Sequence, residues 1–115
     1  MGTTIEDQRL DELFAALSDR TRRDIVARLS AGEATVKELA EPYAMSMQAV
    51  SQHIRVLERS GLISRGRDRQ TRPCRLEPAA LEAAVSWIEE SRRTWSERMD
   101  RLETHLARLQ QRENQ

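Results

Sequence analysis

The side chains best suited to chemistry in this sequence are arginines and amides that could bind a polyanion. Across Ser46–Arg75, seven arginines face two acidic residues, a local balance of 7 − 2 = +5. The residues before this segment balance at 6 − 9 = −3 and those after it at 6 − 8 = −2, so a neutral chain concentrates its positive charge in one place. Because phosphate contacts supply most of the non-specific affinity for DNA, this distribution favours DNA binding.

A helix predicted over residues 47–60 would present the polar part of this segment. Val50, Ile54 and Leu57 recur at helical spacing and define its buried side. A rotation of about 100° per residue places four polar side chains on the opposite side: Gln48, Gln52, Arg55 and Arg59. In a major groove, glutamine can read adenine, arginine can read guanine, and serine can contact base edges or phosphates. The other interpretation is an ordinary helical pair with a solvated face.

Three predicted helices precede this one and must position it. The first covers residues 5–17, and the second, capped by Ser18 and Asp19, buries Ile25, Val26 and Leu29. The third is short and starts at residue 34 or 35. It ends at residue 41, because the following proline disfavours helical angles in the residue before it. Residue 46 then caps the helix over 47–60, so the third and fourth helices form a helix-turn-helix.

An arginine-rich hairpin is predicted next, with strands Leu62–Arg67 and Thr71–Leu76. Pro73 cannot donate a ladder hydrogen bond, so its strand should lie at an edge. Residues 65, 67 and 69 share one side if the first strand persists. The hairpin carries five arginines, which either contact DNA or serve solubility: Arg65, Arg67, Arg69, Arg72 and Arg75.

A long last helix is predicted over residues 78–110, with Pro78 at its first position. Nine positions alternate steps of four and three residues, and eight of them are apolar: Leu81, Val85, Ile88, Arg92 (the exception), Trp95, Met99, Leu102, Leu106 and Leu109. This heptad spacing indicates packing against another helix. The helix would be about 50 Å long, too long for so small a chain to cover, so a second copy of the chain is the expected partner.

Few residues point to metal, redox or catalytic chemistry. His53 and His105 lie 52 positions apart, and the third helix lacks cysteine, so the three or four ligands of a tight metal site are missing. His53 either packs half-buried or reads a base. Cys74 either has a thiol pKa lowered by nearby arginines, which favours oxidation, or simply fills space beneath the hairpin. We find no nucleophile–base set or phosphate-binding glycine loop, and we expect no enzyme activity and no cofactor.

The bulk composition suits one small, helix-rich domain. The chain has 115 residues, 38% hydrophobic and 33% charged, with 3% aromatic residues, too few for a single-strand stacking platform. No apolar run approaches the ~20 residues that span a bilayer. The acidic N-terminus lacks a signal segment, and the single cysteine cannot form an internal disulfide, so we expect a cytoplasmic protein without membrane contact.

The order of motifs resembles the ArsR-type winged-helix repressors, in a branch without metal-binding cysteines and histidines. The resemblance covers about residues 8–110. It is carried by four segments in order: residues 13–23 (LFAALSDRTRR), 36–40 (VKELA), 47–57 (MQAVSQHIRVL) and 58–63 (ERSGLI). It implies that Ser46, Met47, Gln48, Ser51 and Gln52 approach DNA, and that the first and last helices form a dimer.

These observations predict a mainly α fold with a small β-hairpin, a winged helix-turn-helix with a long C-terminal dimerisation helix, forming one domain over residues 1–115. The expected function is a homodimeric transcriptional regulator, a repressor occluding a promoter at an inverted repeat in double-stranded DNA. The alternative is a helical protein-interaction adaptor using the heptad seam. No small-molecule effector is identifiable. The predicted DNA contacts are Thr35, Ser46, Met47, Gln48, Ser51, Gln52, Arg55, Arg65, Arg67, Arg69 and Arg72. The predicted dimer contacts are Leu10, Leu13, Phe14, Leu17, Ile88, Trp95, Met99, Leu102 and Leu106, with Trp87 as a further seam residue.

Overall fold

The computed structural model describes residues 5–67 and 70–114. Within those ranges five helices and two strands follow one another: α1 Ile5–Ala16, α2 Arg20–Leu29, α3 Val36–Ala40, α4 Met47–Arg59, β1 Ile63–Arg65, β2 Cys74–Leu76 and α5 Pro78–Glu113. The strands form one antiparallel hairpin. The predicted fold class, mainly α with a small β-hairpin, is confirmed.

The chain divides into a first unit that ends at Ala84 and a second unit that begins at Val85. The core of the first unit lies among α1 to α4 and the hairpin, and α4 contacts α1, α2, α3 and β1. Its largest fully buried side chains are Leu13, Ile25, Leu39, Val50, Ile54, Leu57, Leu62, Ile63 and Cys74. This burial of apolar surface is the main force that holds α4 in place.

Short polar side chains set the starts of α2 and α4, as predicted. The Asp19 carboxylate accepts a hydrogen bond from the Arg22 backbone N–H at 3.0 Å, and the Ser46 hydroxyl accepts one from the Ala49 N–H at 3.1 Å. Each side chain satisfies a backbone donor that has no partner within its helix. Helix α4 ends before Gly61, whose φ of 85° is a conformation that glycine adopts at little cost.

The five-residue α3 is too short to be stable by itself, and side chains hold both its ends. At its start, the Thr35 hydroxyl accepts from the Glu38 N–H, and the Glu38 carboxylate accepts from the Thr35 N–H, at 3.1 and 3.0 Å. At its end, the Arg28 guanidinium donates to the carbonyls of Glu38 and Leu39, at 3.1 and 2.8 Å. A cation at these carbonyls also complements the helix dipole, so α2 orients α3.

The hairpin strands are shorter than predicted. Residues pair in the register Ile63–Leu76, Ser64–Arg75 and Arg65–Cys74. Past this point the Gly66 N–H still donates to the Pro73 carbonyl at 2.8 Å, but Pro73 offers no N–H in return. Arg72 has a φ of 35°, in the left-handed region, which extended strands do not adopt. The predicted continuation of the strands over residues 66–67 and 71–73 is therefore wrong.

The strand predicted to lie at an edge has a neighbour at one residue. Ala34 and Cys74 exchange two backbone hydrogen bonds, at 2.7 and 3.2 Å, on the side of β2 opposite β1. This bridge ties the segment before α3 to the hairpin and covers β2 at Cys74.

Helix α5 extends three residues beyond its predicted end at residue 110. Ala80 and Ala84 are buried, whereas every described residue from Val85 to Asn114 is exposed. The heptad pattern therefore continues through a stretch of helix whose described residues are all exposed.

Candidate nucleic-acid interface

The predicted division of α4 into a buried and a polar face is confirmed. Val50, Ile54 and Leu57 are at most 1% exposed. The side chains on the opposite side are all exposed: Gln48, Gln52, Arg55 and Arg59. Met47, at the first position of the helix, is 49% exposed. The first unit thus presents a helix whose outward side chains are hydrogen-bond donors and acceptors.

The side chains of the helix-turn-helix that were predicted to contact DNA differ in exposure and in whether their polar groups already make hydrogen bonds within the chain. Ser46 is exposed, but its hydroxyl oxygen already serves as the cap of α4, and Ser51 is half-buried. Gln52 accepts a hydrogen bond from the Arg55 guanidinium at 3.3 Å, so these two side chains lie side by side on the exposed face. An adjacent amide and guanidinium can offer acceptor and donor groups to base edges. Thr35 is half-buried and holds the start of α3.

The hairpin arginines have different local contacts. The Arg65 guanidinium donates to the Arg72 carbonyl, with Nη2 at 3.2 Å, and so braces the turn. Arg67 and Arg72 are exposed. Arg75 lies 3.7 Å from the Glu33 carboxylate, and both groups are more than half exposed. Arg69, with Asp68, lies outside the described residues. Because β1 ends at Arg65, the predicted alignment of residues 65, 67 and 69 along one strand face has no strand to support it.

The turn before α4 is anchored to α2 by Tyr43. The Tyr43 hydroxyl donates to the Asp24 carboxylate, and the Arg28 guanidinium lies 5.5 Å from the centroid of the Tyr43 ring. Burial, followed by the hydrogen bond to Asp24, raises the pKa of Tyr43. These contacts fix the break between α3 and α4, and sequence reasoning did not identify them.

A second group that sequence reasoning missed joins α2 to the middle of α4. The Arg22 guanidinium lies 3.3 Å from Nδ1 of His53, and the Asp19 carboxylate lies 3.7 Å from the same nitrogen. His53 is half-buried, which supports the packing and hydrogen-bonding interpretation over base reading. The Arg22 backbone N–H, the main cause, lowers the pKa of the Asp19 carboxyl. The only sequence signal was the spacing of Asp19 and Arg22 at the start of a helix.

Cys74 is a core residue. Its side chain is fully buried, and burial raises the pKa of its thiol despite the proximity of Arg65. Of the two interpretations of Cys74, the lowered thiol pKa is therefore wrong, because removal from water outweighs the attraction of the nearby guanidiniums. The structure favours the alternative, in which Cys74 fills space beneath the hairpin.

The residues predicted to form a dimer fall into two groups. Leu13 is fully buried in the first unit and has no surface to offer a partner, so its assignment to the dimer interface is corrected. Leu10, Phe14 and Leu17 are half-buried. The residues from α5 are all between 39% and 63% exposed: Ile88, Trp95, Met99, Leu102 and Leu106.

Trp87 differs from the other exposed apolar residues of α5. It is 49% exposed but immediately precedes Ile88 in the helix, which places it about 100° away from the heptad stripe. The position of Trp87 around the helix therefore does not support its predicted place in the dimer seam.

Within residues 5–67 and 70–114, no three His, Cys, Asp or Glu side chains lie close enough together to hold a metal ion. Over the same ranges, no helix is both long and apolar enough to cross a membrane.

Comparison with known proteins identifies the family. A family model described as a helix-turn-helix domain matches residues 17–65. The transcriptional repressor SdpR of Bacillus subtilis is 30% identical over 79 residues, which cover 69% of this chain and 88% of SdpR. The HTH-type transcriptional regulator Rv2034 of Mycobacterium tuberculosis is 41% identical over 73 residues, which cover 64% of this chain and 68% of that protein.

A solved structure shares the fold over most of the chain. The crystal structure of the ArsR family transcriptional regulator RHA00566 has a TM-score of 0.74 at 36% identity, covering 84% of this chain and 97% of that one. The arrangement of α3, α4 and the hairpin is that of a winged helix-turn-helix. The chain therefore belongs to the ArsR family of transcriptional regulators, with α3 and α4 forming its DNA-binding fold.

Proposed function

We propose that this chain is a homodimeric repressor that occludes a promoter by binding an imperfect inverted repeat. Helix α4 carries this proposal, because its apolar side is held in the core while Gln48, Gln52 and Arg55 are exposed on the other side. A helix held in this way can enter a major groove with its reading side chains in fixed positions. The relative SdpR is named a transcriptional repressor, which supports repression over activation.

The hairpin supplies the contacts that carry no sequence information. Arg67 and Arg72 are exposed near its turn, and the segment Ser46–Arg75 has a balance of +5 by sequence. Guanidiniums there would bind flanking phosphates or the minor groove, while α4 discriminates between bases.

A second copy of the chain completes the proposed site. Seven large apolar side chains at heptad positions of α5 are 39–63% exposed, more than a soluble monomer usually leaves in one stripe. Residues 78–110 would act as the dimerisation helix. Two-fold pairing would present two α4 helices to two half-sites, which accounts for an inverted repeat.

The first experiment is capture of genomic DNA fragments by the purified protein, followed by sequencing and by affinity measurements over a range of salt concentrations. We expect a shared inverted repeat, and a logarithm of affinity that falls linearly with the logarithm of salt concentration. Arg67→Ala should weaken operator and random DNA alike and reduce the salt slope by about one. Arg93→Ala, which removes the same charge from α5, is the matched control.

Absence of salt-sensitive DNA binding would contradict the proposal. It would favour the alternative of a helical adaptor that binds another protein through the apolar stripe of α5.

A further inference from the structure

Arg22 joins the end of α1 to the middle of α4. Its Nε donates to the Ala16 carbonyl at 2.7 Å, and its Nη2 donates to the Ala15 carbonyl at 3.2 Å. These carbonyls lie in the last turn of α1, and the Ala15 carbonyl also accepts hydrogen bonds from the Ser18 backbone N–H and hydroxyl. The remaining terminal nitrogen, Nη1, lies 3.3 Å from His53 Nδ1. One half-buried side chain therefore reaches two helices besides its own.

The chemistry of the two groups determines how this last contact is made. A guanidinium can only donate hydrogen bonds, so His53 Nδ1 must be the acceptor. Hydrogen-bond chemistry therefore assigns the ring N–H to Nε2. The Asp19 carboxylate caps α2 at the Arg22 backbone N–H and so fixes the backbone from which the guanidinium extends; it lies 3.7 Å from the same imidazole nitrogen, beyond hydrogen-bond distance.

This contact adds a directional constraint to the packing of α4. Val50, Ile54 and Leu57 hold the helix in the core through apolar burial, which has no directional preference of its own. A hydrogen bond to a charged donor is directional and sets one orientation. His53 directly follows Gln52, so rotation at His53 would move the exposed amide by a comparable amount.

We infer that Arg22 is a positioning residue for DNA reading, which acts through His53 to set the orientation of α4 and of the side chains it presents. This inference rests on the proposed function, because it assumes that α4 reads base edges. It also gives α1, a predicted dimer element, a hydrogen-bonded connection to the reading helix through the carbonyls of Ala15 and Ala16.

The competing explanation is that Arg22 only caps the end of α1. In that case DNA binding would not depend on the hydrogen-bond acceptor of His53, and another ring of similar size could replace the imidazole without effect on DNA binding. His53→Phe removes the acceptor and keeps a ring, whereas His53→Asn keeps an acceptor close to the position of Nδ1. Arg22→Lys keeps the charge but cannot serve all three acceptors at once.

The test compares these variants with wild type on the captured operator and on random DNA, after denaturant unfolding has shown that each is folded. We expect His53→Phe and Arg22→Lys to bind the operator about tenfold more weakly, as for loss of a hydrogen bond to a charged group, with unchanged affinity for random DNA. His53→Asn should restore most of the operator affinity. Equal operator affinity for His53→Phe and wild type would overturn the inference.

A second measurement needs no DNA. The ¹⁵N chemical shifts of the neutral His53 ring should report a proton on Nε2 in wild type, and a mixture of tautomers in Arg22→Lys. A proton on Nδ1 in wild type would overturn the inference. Wild type that binds no DNA would overturn the proposed function, and the positioning role with it. Wild type that binds DNA with the same affinity as His53→Phe would overturn the positioning role alone.

Discussion

Helix α4 and the part of α5 that follows Ala84 have the same amphipathic pattern, yet their apolar faces have different surroundings. On α4, Val50, Ile54 and Leu57 are at most 1% exposed, because α1, α2, α3 and β1 contact the helix. On α5 the heptad residues from Val85 onward are at least 39% exposed, and this part of the helix forms a unit by itself. Apolar periodicity therefore predicts that one face of a helix will be buried. It does not predict whether the residues that bury it belong to the same chain or to a partner.

Because the two apolar faces have different surroundings, their burial contributes to stability in two different ways. Burial of α4 depends on contacts within one chain, so its contribution is present at any protein concentration. Burial of the α5 stripe requires another molecule under the proposed function, so its contribution depends on protein concentration. Four predictions test the comparison between the first unit and α5, in order of decreasing effect.

The largest effect is expected from Leu102→Asp combined with Leu106→Asp in α5. Under the dimer proposal both positions become buried, and each unpaired carboxylate would cost several kcal/mol in an apolar seam. Sedimentation should show monomer or unfolded chain. Thr104→Asp with Ala107→Asp adds the same charge off the stripe and should remain dimeric. A well-folded dimer of the first double variant would contradict this comparison.

The next effect is expected from Leu57→Ala in α4. Leu57 is fully buried, and truncation of such a leucine typically lowers the free energy of unfolding by about 2–5 kcal/mol. Denaturant unfolding measures the loss. Met47→Ala, on the same helix but 49% exposed, should change it much less. Similar losses for both variants would mean that α4 is not held in the way described.

The polar faces of the two helices can be compared through Gln52→Ala in α4 and Gln110→Ala in α5. Both glutamines are exposed, but only Gln52 lies on the proposed reading surface. We expect Gln52→Ala to reduce operator affinity by about 1–3 kcal/mol and to leave random DNA unaffected. The matched change at Gln110 should have no effect on either DNA. An equal loss at both positions would show that the reading surface is misassigned.

The smallest effect is expected at Asp19, whose carboxylate caps α2 in the first unit. Its pKa is lowered in the folded chain, chiefly by the Arg22 N–H, so the ionised cap stabilises the fold above the pKa of the unfolded state. That contribution disappears as the pH falls through the lower, folded-state pKa. Asp19→Asn keeps a capping side chain but cannot ionise. Its difference from wild type in unfolding free energy should be about 1 kcal/mol or less at neutral pH and should vanish in acid.

Asp100→Asn in α5 serves as the control, since Asp100 is an exposed carboxylate within a helix rather than a cap. If the difference in unfolding free energy between wild type and Asp19→Asn grew as the pH fell, the pH dependence would have the opposite sign to that expected for an ionised cap. That result would contradict the assignment of Asp19 as the cap of α2.

The starts of the helices and the faces of α4 could be predicted from sequence, because both depend on residues close together in the chain. Asp19, Thr35 and Ser46 cap their helices through atoms three residues away. The hairpin could be predicted only in part. Its strands end early because of Arg72 in the left-handed region and the missing donor of Pro73, and the first of these features is not readable from residue type.

The sequence by itself determined the order of helices and hairpin, the polar face of α4 and the heptad stripe of α5, since local capping and periodicity suffice for these. Only the tertiary structure placed Arg22 against His53 and Arg28 against the end of α3. It also buried Leu13, which had been predicted at the dimer interface, and decided between the two interpretations of Cys74 in favour of the one that fills space beneath the hairpin. Such contacts join residues far apart in the chain, and their geometry depends on how whole helices pack.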